Sequence, residues 1–298
     1  MPMTARPART RRRAMPTALL LTALASAGIV QAAPPTTTTT SSIPDIRSTA
    51  LMQSTGNTIL ITGAGSGIGR ELAQRFHALG NTVIVAGRRL DPLRDTIGDR
   101  DRMFAMALDV TDPSDIAAFA QRLVGEHPDV NVLINNAGIM RNEDAGRARD
   151  LGDAEATITT NLLGPIRLTD ALVDHLATRP HAAIVNVSSG LAFVPLVVAP
   201  TYSASKAAIH SYTVSLRHLL AGRVQVIELV PPAVQTELTP GQSTREGYLP
   251  LQDFIDEVMV QFQQQPVPDE VLVARVHLQR MAEREDRFDA TLERINPR

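Results

Sequence analysis

The sequence has no cysteine, no tryptophan, and a single lysine among its 29 basic residues. Without cysteine there are no disulfides, no thiol nucleophile and no cysteine metal ligands; compartment stays open. Aromatic residues make up only 3% of the chain, so the core must be built from Ala, Val, Leu and Ile. The seven histidines show no metal-ligand spacing, and no metal is expected. A formal net charge of −2 gives no reason to expect nucleic acid as a partner. No internal repeat is found.

The rarity of lysine points to the place where one is kept. Arginine fills every other basic position, which reads as a coding bias that replaces lysine wherever either cation serves. Lys206 is the exception, and a compact point charge on a flexible stem differs from a wide planar fork. Tyr202 stands four residues earlier, so on a helix the two share a face. Ser189 lies thirteen residues before Tyr202, across an apolar stretch. A phenol, a fixed cation and a hydroxyl form a candidate proton-transfer centre. The alternative is a lysine surviving by chance on a solvated helix face.

The chain has 298 residues, 44% hydrophobic and 20% charged, which suits one soluble domain with a sizeable core, or at most two. Its first 33 residues carry five arginines and no acid, so −2 less those five charges leaves −7 on residues 34–298. Arg6, Arg9 and Arg11-Arg12-Arg13 precede the apolar run Ala18–Val30 of thirteen residues. That run is short of the roughly 20 needed to cross a bilayer, so no stable transmembrane span is expected. Residues 1–33 read as a secretory signal of twin-arginine character, with small-residue cleavage candidates at Ala25-Ser26-Ala27 and Val30-Gln31-Ala32. The other reading is a misassigned start, since Met52 lies just before the first strand. A cytoplasmic location is favoured by the cofactor argued below, and export of a folded protein is the alternative. Residues 34–55 form a linker that includes the low-complexity run PPTTTTTSS. Residues 56–240 form the catalytic domain, and 241–298 a helical extension of it.

From residue 57 to 230 short apolar runs alternate with helical patterns. Thr58–Thr62, Thr82–Ala86, Met103–Leu108, Val132–Ile134, Ala182–Val187 and Val224–Leu229 read as strands. Runs this continuously apolar are buried on both faces. The alternation predicts an α/β fold with a parallel, doubly wound sheet and helices on both faces. Asp112-Pro113-Ser114-Asp115 is a helix start, with Asp112 as cap. Ala154–Thr178 carries one long helical pattern, and Tyr202–Leu220 another. Beyond residue 231 the chain reads as loop and helix, with helices over Asp253–Gln264 and Pro268–Ala282 and no seventh strand.

Thr62-Gly63-Ala64-Gly65-Ser66-Gly67-Ile68-Gly69 follows the first strand and opens a helix. The glycines allow a tight turn and close approach of a pyrophosphate, and the helix N-terminus offers free amides. About twenty residues on, an NAD site places an acid against the ribose hydroxyl. Here Arg88 and Arg89 stand instead, and arginine pairs with a 2′-phosphate, so NADP(H) is expected over NAD(H). Asp109 and Val110 are candidates for the adenine edge, Asn136, Ala137 and Gly138 for the cofactor's inner wall. Asn161 falls within a helical pattern, where Asn is a poor former. A buried Asn161 that relays through water to Lys206 would account for it. Asp144, Asp150 and Asp153 read as solvated charges, and His210 as packing on its helix.

In these residues the chain resembles the short-chain dehydrogenase/reductase family over about residues 56–240, with Gly63, Gly67, Gly69, Asn135-Asn136-Ala137-Gly138, Asn161, Ser189, Tyr202 and Lys206 in matching order. The segments Val187–Pro195 and Lys206–Ser211 are similar to its DltE-type branch, a likeness that reaches the tail around Leu249-Pro250-Leu251. The resemblance implies a Rossmann-type sheet of about six strands in the order 3-2-1-4-5-6. It also implies a catalytic tetrad of Asn161, Ser189, Tyr202 and Lys206. Tyr202 then acts as general acid or base, poised near neutrality by about 3 units through Lys206 and the oxidised nicotinamide. Ser189 bonds the developing alkoxide, and Lys206 also reaches the nicotinamide ribose. Where the family commonly has Pro-Gly after the sixth strand, this chain has Pro231-Pro232, a stiffer loop from which Thr236 can still hold the carboxamide. The expected activity is an NADP(H)-dependent carbonyl reductase or alcohol dehydrogenase. Its substrate is expected to be apolar, held by Leu191–Ala199, Ile139, Met140 and Leu238. A homodimer or tetramer is the expected assembly. The alternatives are a non-catalytic NADP(H)-binding sensor or scaffold, and an exported interaction protein.

Overall fold

The structure, a computed structural model, describes residues 51–297. The expectations for the signal-like leader and for most of the linker lie outside the described residues.

β1 (Thr58–Thr62) begins the sheet as TILIT, a β-branched run in which Ile59, Leu60 and Ile61 are fully buried. It cannot expose either face, and helices close on both. α1 (Gly67–Ala78) leads to β2 (Thr82–Gly87), α2 (Leu90–Ile97) to β3 (Met103–Ala107), and α3 (Pro113–Glu126) to β4 (Val130–Asn135). Asp112 caps α3 as expected: its carboxylate accepts from the backbone N–H of Ser114 at 2.8 Å, with Pro113 in the first turn. α4 (Gly152–Ile158) and α5 (Gly164–Leu176) precede β5 (Ala183–Val187), and α6 (Pro200–Leu219) precedes β6 (Gln225–Val230). α7 (Leu251–Phe262), β7 (Glu270–Leu272), α8 (His277–Arg280) and α9 (Phe288–Ile295) complete the order.

The sheet runs β3-β2-β1-β4-β5-β6-β7, and every pair is parallel. The order reverses between β1 and β4, which opens a crevice at their carboxyl ends. Leu72, Phe76, Phe254, Val258 and Phe262 fill the face under α1 and α7, with the Phe76 and Phe262 rings edge to face at 5.3 Å. Phe119, Leu123, Leu168, Leu172 and Leu216 fill the face under α3, α5 and α6.

Three expectations change. A seventh strand exists: β7 pairs Glu270, Val271 and Leu272 with Glu228, Leu229 and Val230. Three residues are too few to show a period, and pairing with β6 alone makes them a strand. The helix expected over Pro268–Ala282 therefore reduces to a 3₁₀ turn, Ala274–Val276, and the four-residue α8. The long helical pattern from Ala154 is not uniform either. A π turn, Thr159–Leu163, joins α4 to α5 and carries Asn161. Among the described residues no helix is long and apolar enough to cross a membrane.

Candidate active site

The glycine turn after β1 is shaped by contact as well as by conformation. Gly63 has φ of +65°, and a Cβ there would meet Ala137 Cα at 2.8 Å. Gly69 lies one turn into α1, where a Cβ would meet Asn136 Nδ2 at 2.4 Å. Asn136 in turn donates from Nδ2 to Thr62 O at 2.9 Å, while Thr62 Oγ1 accepts from the backbone N–H groups of Asn136 and Ala137, both at 3.1 Å. Thr62, Gly69 and Asn136 thus stitch the ends of β1 and β4 together behind the crevice. α1 starts at Gly67 behind Ser66, whose side chain makes no capping bond, and its first turn holds no acid. The positive end of the helix dipole is left open to the crevice.

A cavity of about 520 Å³ runs along the carboxyl ends of the strands. At one end it is lined by Gly63, Gly65, Ser66, Gly67, Ile68, Arg88, Arg89, Asp109 and Val110. Both arginine side chains are exposed. The middle is formed by Asn136, Ala137, Gly138, Pro231 and Thr236, and the far end by Ser189, Tyr202 and Lys206. Of the residues singled out in the sequence, Thr62, Gly69 and Asn161 do not line this cavity. They support it from outside.

Tyr202 and Lys206 sit one turn apart near the start of α6, both buried, with Nζ 5.6 Å from the phenol ring centre. Nζ donates to Val187 O at 2.8 Å, which pins the ammonium to the end of β5. Burial pushes the Lys206 ammonium down to about 8, against an opposing pull from the Glu228 charge. Burial likewise pushes the Tyr202 phenol up to about 12, while the facing Ser189 hydroxyl pulls the other way. The protein by itself therefore keeps the phenol protonated. The dry surroundings oppose a phenolate before any cofactor charge is present, and the lowering toward neutrality expected from the sequence belongs to the site with oxidised nicotinamide bound.

Ser189 begins the 3₁₀ turn Gly190–Ala192, and its Oγ accepts from Leu191 N at 3.1 Å. Its hydroxyl proton remains available to the cavity. Ser188 beside it also lines the cavity, and its buried Oγ has no partner within the protein.

Asn161 is 1% exposed and its side chain is fully engaged. Oδ1 accepts from Ile139 N at 2.9 Å, and Nδ2 donates to Ile139 O at 2.9 Å and to Ser205 Oγ at 3.2 Å. Asn161 thus clamps the segment after β4 against α6. Its side chain makes no direct bond to Lys206.

The cavity touches Ile139 and Leu238, as expected, but neither Met140 nor the stretch Leu191–Ala199. Arg141, Glu237 and Gln242 line it instead. Sequence reasoning missed three more contributors. Glu143 reaches the N-terminus of α6, where Oε2 accepts from Thr201 Oγ1 at 2.8 Å and pairs with Arg149 at 2.7 Å. Ser205 carries the bond to Asn161. Glu228 is buried beneath α6, 2.7 Å from His210 Nδ1, so His210 pairs with an acid where packing alone was expected. A lone acid inside the run Val226-Ile227-Glu228-Leu229-Val230 was the available signal, because a strand buried on both faces must pair any charge it carries.

The chain is similar to several known proteins. The family described as short chain dehydrogenase matches residues 57–247. An uncharacterized oxidoreductase, DltE, of Bacillus subtilis is 41% identical over 198 residues, covering 66% of this chain and 79% of that protein. Sulfoacetaldehyde reductase 2 of Chromohalobacter salexigens is 35% identical over 186 residues, 61% of this chain and 74% of that one. Among solved structures, a short chain dehydrogenase from Burkholderia cenocepacia in complex with NADP superposes with a TM-score of 0.71. It is 29% identical, and the match covers 82% of this chain and 99% of the other.

Proposed function

The chain belongs to the short chain dehydrogenase family and is a nicotinamide-dependent oxidoreductase; from that premise we propose that it is an NADP(H)-dependent carbonyl reductase in which Tyr202 gives the proton. One observation carries this reading. A single cavity has a phosphate cradle with two arginines at one end and a buried phenol, hydroxyl and ammonium at the other.

The residues present fit an NADP-type cofactor. Gly63 and Gly65 leave backbone bare where a pyrophosphate would lie, α1 turns an unneutralised N-terminus toward it, and Arg88 and Arg89 suit a 2′-phosphate. The solved relative of 29% identity is in complex with NADP. Asn136, Ala137, Gly138 and Thr236 would flank the nicotinamide half, with Lys206 at its ribose. When bound, the reduced cofactor supplies the hydride.

The chain's own groups supply the rest. Tyr202 Oη donates its proton to the substrate oxygen, and burial, which pushes the phenol up to about 12 in the free protein, favours the protonated form needed for that step. Ser189 Oγ–H bonds the oxygen as negative charge develops. Lys206 stabilises the phenolate that Tyr202 becomes, at short range in a dry site. Asn161 holds Ile139, and with it the wall beside Gly138, at fixed distance from α6.

The substrate end favours a small carbonyl compound with one polar group over a wholly apolar one. Ile139 and Leu238 offer apolar contact, and Arg141, paired only at 3.7 Å with Asp153, lines the same cavity and would meet an anion. One relative is named as a reductase of sulfoacetaldehyde, an aldehyde with an anionic sulfonate on the neighbouring carbon. A panel of anionic and uncharged aldehydes and ketones, followed by NADPH consumption, tests this. Anionic members are expected to give the higher kcat/KM, and Arg141→Ala to remove that advantage mainly through KM. A preference for long uncharged substrates would return the apolar reading. Tight NADPH binding with no turnover across the panel would return the sensor or scaffold reading.

A further inference from the structure

Behind the site, on the side of the sheet that α6 covers, one carboxylate is wholly enclosed. Glu228 lies in the middle of β6 with no exposed surface. Its Oε2 is 2.7 Å from His210 Nδ1, and its Oε1 has no hydrogen-bond partner. A carboxylate ionised in such a place is costly unless an opposite charge compensates it. A residue there for packing alone would cost less as an amide or a hydrocarbon.

Two cations feel the Glu228 charge, Arg280 on the outer side and Lys206 toward the active site. Lys206 and His210 are one turn apart on α6, so both lie over the same strip of sheet. Glu228 is in register with Asn186, the residue before Val187, and Val187 O is where Lys206 Nζ is pinned. The other groups facing this layer are accounted for. Tyr202 on α6 is a neutral phenol. Asn186 on β5 is uncharged and bonds Thr213 Oγ1 at 3.0 Å. Glu270 on β7, beside Glu228, is held by Arg280 through two bonds of 2.7 and 2.8 Å, with Arg217 of α6 nearby. Arg280 and His210 both lie against Phe193, at 4.7 and 4.8 Å from its ring centre, and Arg280, already bonded twice to Glu270, closes the outer edge. Lys206 is the one buried cation on the inner side.

We propose that Glu228 is a positioning residue for Lys206: a buried counter-charge, tethered by His210, that keeps the ammonium loaded and in place beneath Tyr202. The proposal rests on the reading of Lys206 as the cation that serves the phenol. It explains why a charge is kept at the centre of an apolar strand, and it agrees with the direction in which Glu228 acts on Lys206 against burial.

Because Lys206 is the chain's single lysine, labelling the protein with lysine carrying ¹³C at Cε gives one resonance that needs no assignment. In the full chain without cofactor or substrate, that resonance is expected to titrate with a midpoint at about 8. In Glu228→Gln the midpoint should fall by about one pH unit or more, a tenfold loss of proton affinity. The alkaline limb of the reduction rate should move with it. Glu228→Asp, which keeps the charge, should hold the midpoint within about half a unit of wild type. Glu228→Met, uncharged and of similar volume, repeats the test if the amide variant does not fold. A wild-type midpoint in either uncharged variant, whatever the loss in melting temperature, makes Glu228 purely structural and overturns the proposal. The resonance is read without turnover, so a shifted midpoint in a protein that reduces nothing would keep the pair and defeat only the reductase reading.

Discussion

In the proposed reaction Tyr202, Lys206 and the pair Arg88 and Arg89 each have a distinct role, and each role makes its own test. Tyr202→Phe removes the proton but little volume, so the reduction rate should fall by over ~100-fold while NADPH affinity stays near wild type. The pH profile follows from Lys206. Its ammonium is charged below about 8 and loses that charge above it. The phenol stays protonated to about 12 in the free protein. Reduction should therefore be level through neutrality and decline as pH rises past about 8, with kcat/KM measured across pH as the check. Replacing Arg88 and Arg89 by alanine should cut the preference for NADPH over NADH by roughly 10- to 100-fold, since charge-assisted bonds of about 1.5–3 kcal/mol are lost. Equal loss with both cofactors would place the 2′-phosphate elsewhere. At this scale the sequence was informative wherever a residue type was out of keeping with its surroundings. The single lysine and the helix-bound Asn161 both stood out. Glu228 stood out too little, because a strand's partners across the sheet are not visible along the chain.

Among the elements, the segment around Asn161 shows what a pattern can and cannot reveal. The helical period from Ala154 onward is real, yet it hides the π turn Thr159–Leu163. That turn swings Asn161 toward Ile139 and Ser205, and the three bonds it makes there are the reason a poor helix former is kept. Asn161→Ala leaves the Ile139 backbone groups unpaired in a half-buried place, at a cost of about 1–2 kcal/mol in thermal or urea unfolding. Activity should drop further than stability does, because the wall beside Gly138 loses its anchor. The glycine turn, by contrast, was legible in full: tight turn, close approach and helix start are all local demands. α6 sits between these cases. Its spacing of Tyr202 and Lys206 was visible, whereas its N-terminal tether to Glu143 depends on a loop more than fifty residues away in sequence.

Across the whole molecule, the doubly wound sheet followed from the alternation of apolar runs, and six of its strands were found within a few residues of their observed ends. The C-terminal segment was harder. Its contribution is long-range: α7 packs on α1 through Phe262 and Phe76, and β7 closes the sheet beside β6. Residues after 240 are thus part of the core. Phe262→Ala should cost about 3–5 kcal/mol in equilibrium unfolding, as for other fully enclosed aromatics, and should lower yield before it touches specific activity. The same packing matters to the site, since β7 and the chain after it complete the layer that encloses Glu228.

In the proposed NADP(H)-dependent reduction Tyr202, backed by Lys206, delivers the proton. Single-turnover consumption of NADPH, with binding of NADPH measured in parallel for wild type and Tyr202→Phe, tests it most directly. The expected result is equal binding by both proteins, consumption by wild type with at least one carbonyl compound, and a rate lower by over ~100-fold in the variant. Equal rates in the two proteins, or binding by wild type with no consumption of NADPH by any carbonyl offered, would contradict it.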